Sequence, residues 1–148
     1  SVEEIPVDEQ SLKIEMIPAT YEGVQQIETL NPFDLQQMET TAGTKDVKFE
    51  AYGDTGNMLA YTDETGSLLV RGVEFGQKAR TLTVSAMGTG RLEVRENNPE
   101  GTLIAVMDIN SPELTATKAR LLTSPSSTTD LCFLFKGANL KIDTWKFR

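Results

Sequence analysis

Histidine is absent from this 148-residue sequence and cysteine occurs once, and both scarcities limit the chemistry available to it. Without histidine there is no Ser-His-Asp or Cys-His triad, no histidine-ligated zinc site and no histidine general base. Cys132 lies in DLCFLFKG, which has the pattern of a core strand, so we predict a buried structural thiol rather than a nucleophile. Paired carboxylates could still hydrolyse a glycosidic bond, but the acids fall mostly in turns such as YTDETG and RENNPEG. We therefore predict that the chain is not an enzyme.

Basic residues and long apolar runs are also scarce. The sequence has 14 Lys and Arg against 22 Asp and Glu, a net charge of −8. Nucleic acids and anionic membrane surfaces require a basic footprint, so neither is predicted as a partner, whereas neutral ligands and cations fit. The longest uncharged apolar run is LCFLF at residues 131–135, far below membrane-spanning length, so no membrane insertion is predicted.

The opening SVEEIPVDEQ contains neither the basic nor the apolar region of a signal peptide. Because the chain does not begin with Met, we expect it to be a domain excised from a longer protein, and this opening then says little about destination.

From residue 47 onward the hydrophobic pattern has a period of two, interrupted by Gly, Asn and Pro at close spacing. In TLTVSAMG, for example, Leu82 and Val84 share one face. LIAVMDI is apolar on both faces, which predicts a central strand, whereas PELTATKARLL is ambiguous between helix and strand. We predict an all-β sandwich of antiparallel strands, jelly-roll-like, over residues 31–148. Residues 1–30 are acidic and hold two of the six prolines, which predicts a linker or wrapping segment with a possible edge strand in LKIEMI.

The stretch LNPFDLQQMET at residues 30–40 has two interpretations. Asn31 as a cap, Pro32 at the first helical position and an acid in the first turn favour a helix start. If the stretch is a strand, Gln37 and Glu39 lie side by side on one face. Residue preferences alone leave both open.

Four stretches, taken in order, resemble a known family: MIPATYEGVQQIETLNPFDLQQMETT, GSLLVRGVEFGQKARTLTVSAM, GRLEVRENNPEGTLIAVMDI and TDLCFLFKGANLKIDTWKF. They are similar to family 6 carbohydrate-binding modules, of the kind fused behind family 43 glycoside hydrolases, the xylosidases and arabinofuranosidases. The resemblance implies a non-catalytic domain that binds plant-type polysaccharide of the xylan or arabinoxylan class. It also implies a catalytic hydrolase domain in the same parent chain, and a secreted, periplasmic or cell-surface location.

The resemblance favours the strand at residues 30–40 and implies a structural calcium ion. In the family, two acidic or amide residues on the first strand and an aspartate on the last strand hold the metal, and Gln37, Glu39 and Asp143 stand at the matching positions. Carboxylate, amide and carbonyl oxygens are the ligands that calcium takes. Gln37 replaces the usual acid. The alternative is that all three residues are ordinary surface positions.

The family's main sugar site, at a loop end, uses a tyrosine, a tryptophan and an asparagine. Tyr61 matches the tyrosine, the tryptophan aligns near Thr115, and the asparagine aligns with Lys141, with Asn139 two residues away as a substitute. Only one of the three expected contacts is therefore retained. Tyr61 has an alternative interpretation as a half-buried strand aromatic.

Other residues offer weaker candidates for sugar contacts. Tyr52 is a possible surface aromatic, and Trp145 fits core packing better than binding. Lys118, Arg120 and Lys141 would suit an acidic sugar such as a uronate, although scattered surface lysines explain them more simply. Two functional hypotheses follow: a carbohydrate-binding module, or a degenerate module that has lost its sugar site and serves a structural, domain-packing role.

Overall fold

Eleven β-strands and no helix are found in the part of the chain that the computed structural model describes, residues 23–54 and 56–148. The predicted all-β class is confirmed, and nothing in these residues forms an apolar helix long enough to cross a membrane. The possible edge strand in LKIEMI lies outside the described residues. The strands are β1 (Val24–Gln25), β2 (Gln36–Gln37), β3 (Thr40–Thr41), β4 (Gly43–Lys45), β5 (Lys48–Tyr52), β6 (Asn57–Tyr61), β7 (Thr65–Glu74), β8 (Thr81–Glu96), β9 (Leu103–Arg120), β10 (Thr128–Lys136) and β11 (Lys141–Phe147).

The long hairpin of β8 and β9 joins two layers of antiparallel strands. The first half of β8 pairs with β11, its second half pairs with β10, and β9 accompanies it along both halves. One layer therefore contains β5, β6 and β11, the other contains β4, β7 and β10, and β8 and β9 pass from one to the other. Their side chains meet between the layers, where the rings of Phe133 on β10 and Trp145 on β11 have centroids 5.2 Å apart. The predicted sandwich is confirmed.

Side-chain alternation along the strands follows the sequence pattern. Leu82 and Val84 are buried while Thr83 on the opposite face is partly exposed, and Trp145 is fully buried, as predicted. Cys132 is also buried, and burial raises the pKa of its thiol, which agrees with a structural role.

The prediction of a central strand at LIAVMDI was wrong. This stretch begins β9, whose only strand partner among residues 23–54 and 56–148 is β8, so it lies at the edge of the sheet that these residues form. The free side of β9 is partly covered, because the backbone N–H of Leu122 donates to the carbonyl of Ile104 at 2.8 Å. The ambiguous PELTATKARLL continues the same strand through Arg120.

Residues 30–40 form a turn followed by short extended pieces, and no helix starts there. The helix-start signals are satisfied by a single turn, in which the Asn31 side-chain oxygen accepts from the Phe33 N–H at 2.9 Å. Gln36 and Gln37 are then extended and pair with β11, which agrees with the strand interpretation at Gln37. The strand is shorter than predicted, because a turn at Met38 and Glu39 separates it from β3.

Gly88 marks the point where β8 passes between the layers. Its φ is +89°, a left-handed conformation, and a Cβ built there would lie 1.6 Å from the carbonyl oxygen of Asn139. Only glycine allows the 137–140 loop to approach β8 this closely.

We expect Gly88→Ala to lower the free energy of unfolding by about 3 kcal/mol or more, because both the backbone conformation and the contact become unfavourable. Gly76→Ala is the matched control: its φ is +61° but no atom lies within 4 Å of a built Cβ, so we expect a loss of about 1 kcal/mol. Urea unfolding curves measure both. Equal losses would show that the approach of Asn139 is unimportant.

Candidate functional site

Tyr61 and Lys141 lie side by side at one end of the first layer. Tyr61 ends β6 and Lys141 begins β11, and the two residues are direct antiparallel partners, so their side chains share a face. The Lys141 ammonium lies 5.7 Å from the centroid of the Tyr61 ring and donates to Glu50 at 2.7 Å. The Lys141 and Glu50 side chains are 33% and 38% exposed. The resulting cluster combines an aromatic ring, an ammonium donor and a carboxylate acceptor at a partly open position.

Glu50 is the member of this cluster that sequence reasoning missed. It lies on β5, two strands from Lys141, and nothing in KFEAY distinguishes it from other surface acids. Only the strand order β5–β6–β11 brings it within reach of the ammonium group.

The other two predicted sugar contacts do not join this cluster directly. Asn139 is exposed in the neighbouring loop, and no hydrogen bond of its side chain to a described residue is present. Thr115 lies on β9, separated from Tyr61 by β11 and β8, or about 14 Å at ordinary strand spacing. Its hydroxyl lies 2.9 Å from that of Ser111 and donates to the Glu113 carbonyl, which stabilises the bend of β9.

Two further features of the surface lie apart from Tyr61. Tyr52 is 41% exposed at the tip of the β5–β6 hairpin, directly opposite Asn57. A groove of about 570 Å³ is lined by residues that include Phe33, Phe75 and Gln77. The groove lining holds no cation. Tyr52 lies two residues along β5 from Glu50 and on the same face, but four residues from the position opposite Tyr61.

The predicted metal ligands do come together. Gln37 pairs with Thr144, the residue after Asp143, and the N–H of Met38 donates to the Asp143 carbonyl at 2.8 Å. In the described part of the chain, five buried side-chain nitrogen and oxygen atoms lack a hydrogen-bond partner, and three of them belong to these residues: Oε1 of Gln37, Oε1 of Glu39 and Oδ1 of Asp143. Buried polar atoms without partners are rare in native proteins and call for an explanation such as an ion.

Burial shapes the electrostatics of the two carboxyl groups. Glu39 and Asp143 are only 6% and 9% exposed. Burial raises the pKa of Glu39, backbone N–H groups of Glu39 and Met58 act in the opposite direction, and the charge of Asp143 raises it further. The pKa of Asp143 is raised by burial. No group of three or more Asp, Glu, His or Cys suited to a metal is found among the described residues, so a cation here would depend on the Gln37 amide and on further oxygen ligands.

Comparison with known proteins gives a consistent result for the fold. No protein-family model matches the sequence. The arabinoxylan arabinofuranohydrolase of Bacillus subtilis (strain 168) is 27% identical over an alignment of 149 positions, gaps included, and the alignment covers 90% of this chain and 29% of that protein. The chain thus spans under a third of the length of this curated relative.

Solved structures share the architecture at lower identity. A family 43 arabinoxylan arabinofuranohydrolase from B. subtilis, in complex with cellotetraose, superposes with a TM-score of 0.72 at 23% identity over 84% of this chain and 29% of the enzyme. A β-1,3-glucan-binding family 6 module from Bacillus halodurans gives 0.73 at 20% identity, over 82% of this chain and 99% of the module. A family 6 module from Clostridium cellulolyticum in complex with xylose gives 0.70 at 17% identity, over 80% and 99%. The resemblance to family 6 modules is confirmed, and the chain has their fold.

The buried carboxyl groups predict that, in the absence of a bound cation, their contribution to the free energy of unfolding falls as pH rises. A carboxyl whose pKa is higher in the folded state than in the unfolded state binds more protons when folded, so its contribution to stability falls as pH rises through the folded pKa. In EDTA at pH 7 we therefore expect Asp143→Asn to stabilise the protein by about 1 kcal/mol, a difference that shrinks toward pH 4.

Asp34→Asn makes the same chemical change at an exposed position and serves as the control. Urea unfolding in EDTA at several pH values provides the measurement. A destabilised Asp143→Asn protein at pH 7 in EDTA would contradict the burial argument.

Proposed function

We propose that the chain is a non-catalytic carbohydrate-binding module that tethers a parent glycoside hydrolase to plant-type polysaccharide of the xylan or arabinoxylan class. The observation that carries the proposal is the extent of the match: the chain covers 99% of two solved structures of sugar-binding modules but 29% of an arabinoxylan hydrolase. A domain of this kind raises the local concentration of the enzyme at its substrate and performs no bond cleavage itself.

The cluster of Tyr61, Lys141 and Glu50 is the part of the surface best suited to a sugar. Neutral saccharides are bound by an aromatic ring against the apolar face and by polar groups aimed at the hydroxyls. The Lys141 ammonium has donors left after it bonds to Glu50, and the carboxylate has acceptor capacity left. Together they offer charge-assisted hydrogen bonds in both directions beside the Tyr61 ring. Lys141 and Glu50 would thus form the hydrogen bonds to the sugar that the asparagine forms in the family.

Calcium is proposed as the structural cofactor. The support is the set of three buried oxygens without partners, on Gln37, Glu39 and Asp143, two of which belong to carboxyl groups that are costly to ionise without a cation. Calcium accepts such a mixed set of carboxylate and amide oxygens with backbone carbonyls completing the coordination. When bound, the ion would neutralise these charges and join β2 and the following turn to β11. Placement outside the cell, whether secreted, periplasmic or cell-surface, belongs to the same proposal and agrees with the calcium concentrations found there.

Replacing Tyr61 tests the sugar site. We expect Tyr61→Ala to weaken binding of arabinoxylan or xylo-oligosaccharides at least about tenfold, because the stacking ring is lost, while Tyr52→Ala leaves affinity unchanged. Isothermal titration with xylan, arabinoxylan, β-1,3-glucan and cello-oligosaccharides supplies the affinities. Absence of heat with every polysaccharide at millimolar sugar would refute the binding function and leave the structural, domain-packing alternative.

Calcium binding should reverse the effect of the Asp143 substitution. At about 10 mM Ca²⁺, we expect the wild type to gain about 1.5–3 kcal/mol of unfolding free energy for a dissociation constant of 0.1–1 mM. Asp143→Asn should gain almost nothing and become less stable than the wild type.

Gln37→Glu should bind calcium more tightly, because a third carboxylate replaces the amide. Thermal unfolding in Ca²⁺, Mg²⁺ or EDTA measures the stability of the wild type, Asp143→Asn and Gln37→Glu. Identical curves in Ca²⁺ and EDTA for the wild type would exclude the calcium site.

A further inference from the structure

A second surface, distinct from the Tyr61 cluster, concentrates positive charge in a protein of net charge −8. Three strands of the first layer, β11, β8 and β9, carry two parallel rows of outward-facing residues. In one row Lys146 faces Thr83, which faces Lys118; in the next Arg148 is bonded to Thr81, which faces Arg120. Residues paired across antiparallel strands share a face, so all four cations lie on the same side. We call Lys118, Arg120, Lys146 and Arg148 the basic strip.

The strip is not used by ion pairs within the described structure. Lys48, Arg91, Arg95, Lys136 and Lys141 all pair with acids, whereas none of the four strip residues has an acidic partner in residues 23–54 or 56–148. Standard spacings place the cations about 10 Å apart across the strands and about 7 Å apart along them. Like charges at this separation repel, and no acid among the described residues offsets the repulsion, so the strip is open to an anionic ligand.

The floor between the cations is made of hydroxyl groups. Thr81 and Thr83 lie between the two lines of charge, and the next row continues with Thr144, Ser85 and Ala116. A groove of about 200 Å³ runs beside Lys146 over Ser85 and Thr144. No acidic residue occurs in these three rows.

We infer that the basic strip binds an acidic polysaccharide, with carboxylates of uronate residues on the cations and sugar hydroxyls on the Thr and Ser side chains. Carboxylates form short, charge-assisted hydrogen bonds with Lys and Arg. Nucleic acid fits less well, since the three rows offer no aromatic ring for base stacking and the rest of the surface is acidic. A protein partner would need apolar anchors. The rows themselves hold none larger than alanine, and the exposed Leu35 and Leu122 lie only at their margins, beside Lys146 and two residues beyond Arg120. The choice of a polysaccharide rests on the proposed function, whereas the anion-binding character of the strip does not.

The test compares two xylans that differ in charge. Isothermal titration at about 0.03 M NaCl measures the affinity of the whole chain for glucuronoxylan, which carries uronate side groups, and for arabinoxylan, which carries none. We expect glucuronoxylan to bind at least about fivefold tighter, and the difference to vanish near 0.5 M NaCl because the exposed charges are then screened. Lys118→Gln/Lys146→Gln should remove the difference and leave arabinoxylan affinity unchanged.

Lys45→Gln/Arg71→Gln is the matched control: it removes the same charge from two exposed residues of β4 and β7, in the other layer, that also lack ion pairs in the described structure, and should keep the difference. Tyr61→Ala should weaken arabinoxylan but retain the salt-sensitive preference, which separates the two sites. The inference is overturned by an unchanged preference in Lys118→Gln/Lys146→Gln, by an equal loss of preference in the control variant, or by equal binding of a thymidine oligonucleotide at the same salt. A wild type that binds glucuronoxylan but not arabinoxylan, or unchanged arabinoxylan affinity in Tyr61→Ala, would refute the proposed site at Tyr61 and not the strip.

Discussion

The arrangement of the first layer depends on a single β-bulge in β11. Ile142 faces Ala86 and Thr144 faces Ser85, so Asp143 is an extra residue without a partner on β8. If Asp143 instead faced Ser85 in a regular ladder, Thr144 would face Val84 and Lys146 would face Leu82, and both partners are core residues. The bulge shifts the alternation by one residue, so that Trp145 and Phe147 enter the core on either side of Lys146, which is partly exposed. The burial of the two largest side chains of β11 therefore fixes the position of the bulge.

The same strand brings together the three surfaces that matter for function. Its first residue, Lys141, reaches Tyr61 and Glu50. Its bulge residue, Asp143, meets Gln37 of β2 and Glu39 of the following turn, and Lys146 near its end belongs to the basic strip. β11 can do this because it lies inside the sheet, with β6 and β2 along one side and β8 along the other. Since β11 is the final strand, each surface joins chain segments that are far apart in sequence. Their formation therefore requires the complete fold.

The sequence predicted features that depend on alternation and on an ordered set of motifs. It predicted the sandwich, the burial of Cys132 and Trp145, and the proximity of Gln37 to Asp143. It could not supply the strand order, so the partner of Lys141 was missed, and Lys118 and Arg120 could not be joined to Lys146. The apolar pattern of residues 103–109 predicted a central strand, because burial of both faces does not distinguish a paired neighbour from a covering loop.

The bulge itself was visible in principle. In KIDTWKFR, Ile142 and Trp145 are three residues apart, which puts them on opposite faces of a regular strand although both are large and apolar. A core that takes both must contain an inserted residue between them, and Asp143 and Thr144 are the only positions available. An insertion leaves its residue outside the ladder, and here that residue is an aspartate buried beside Glu39. A cation held by Asp143 would bind at the residue that sets the parity of β11, so the proposed calcium site and the placement of Lys146 on the surface depend on the same backbone irregularity.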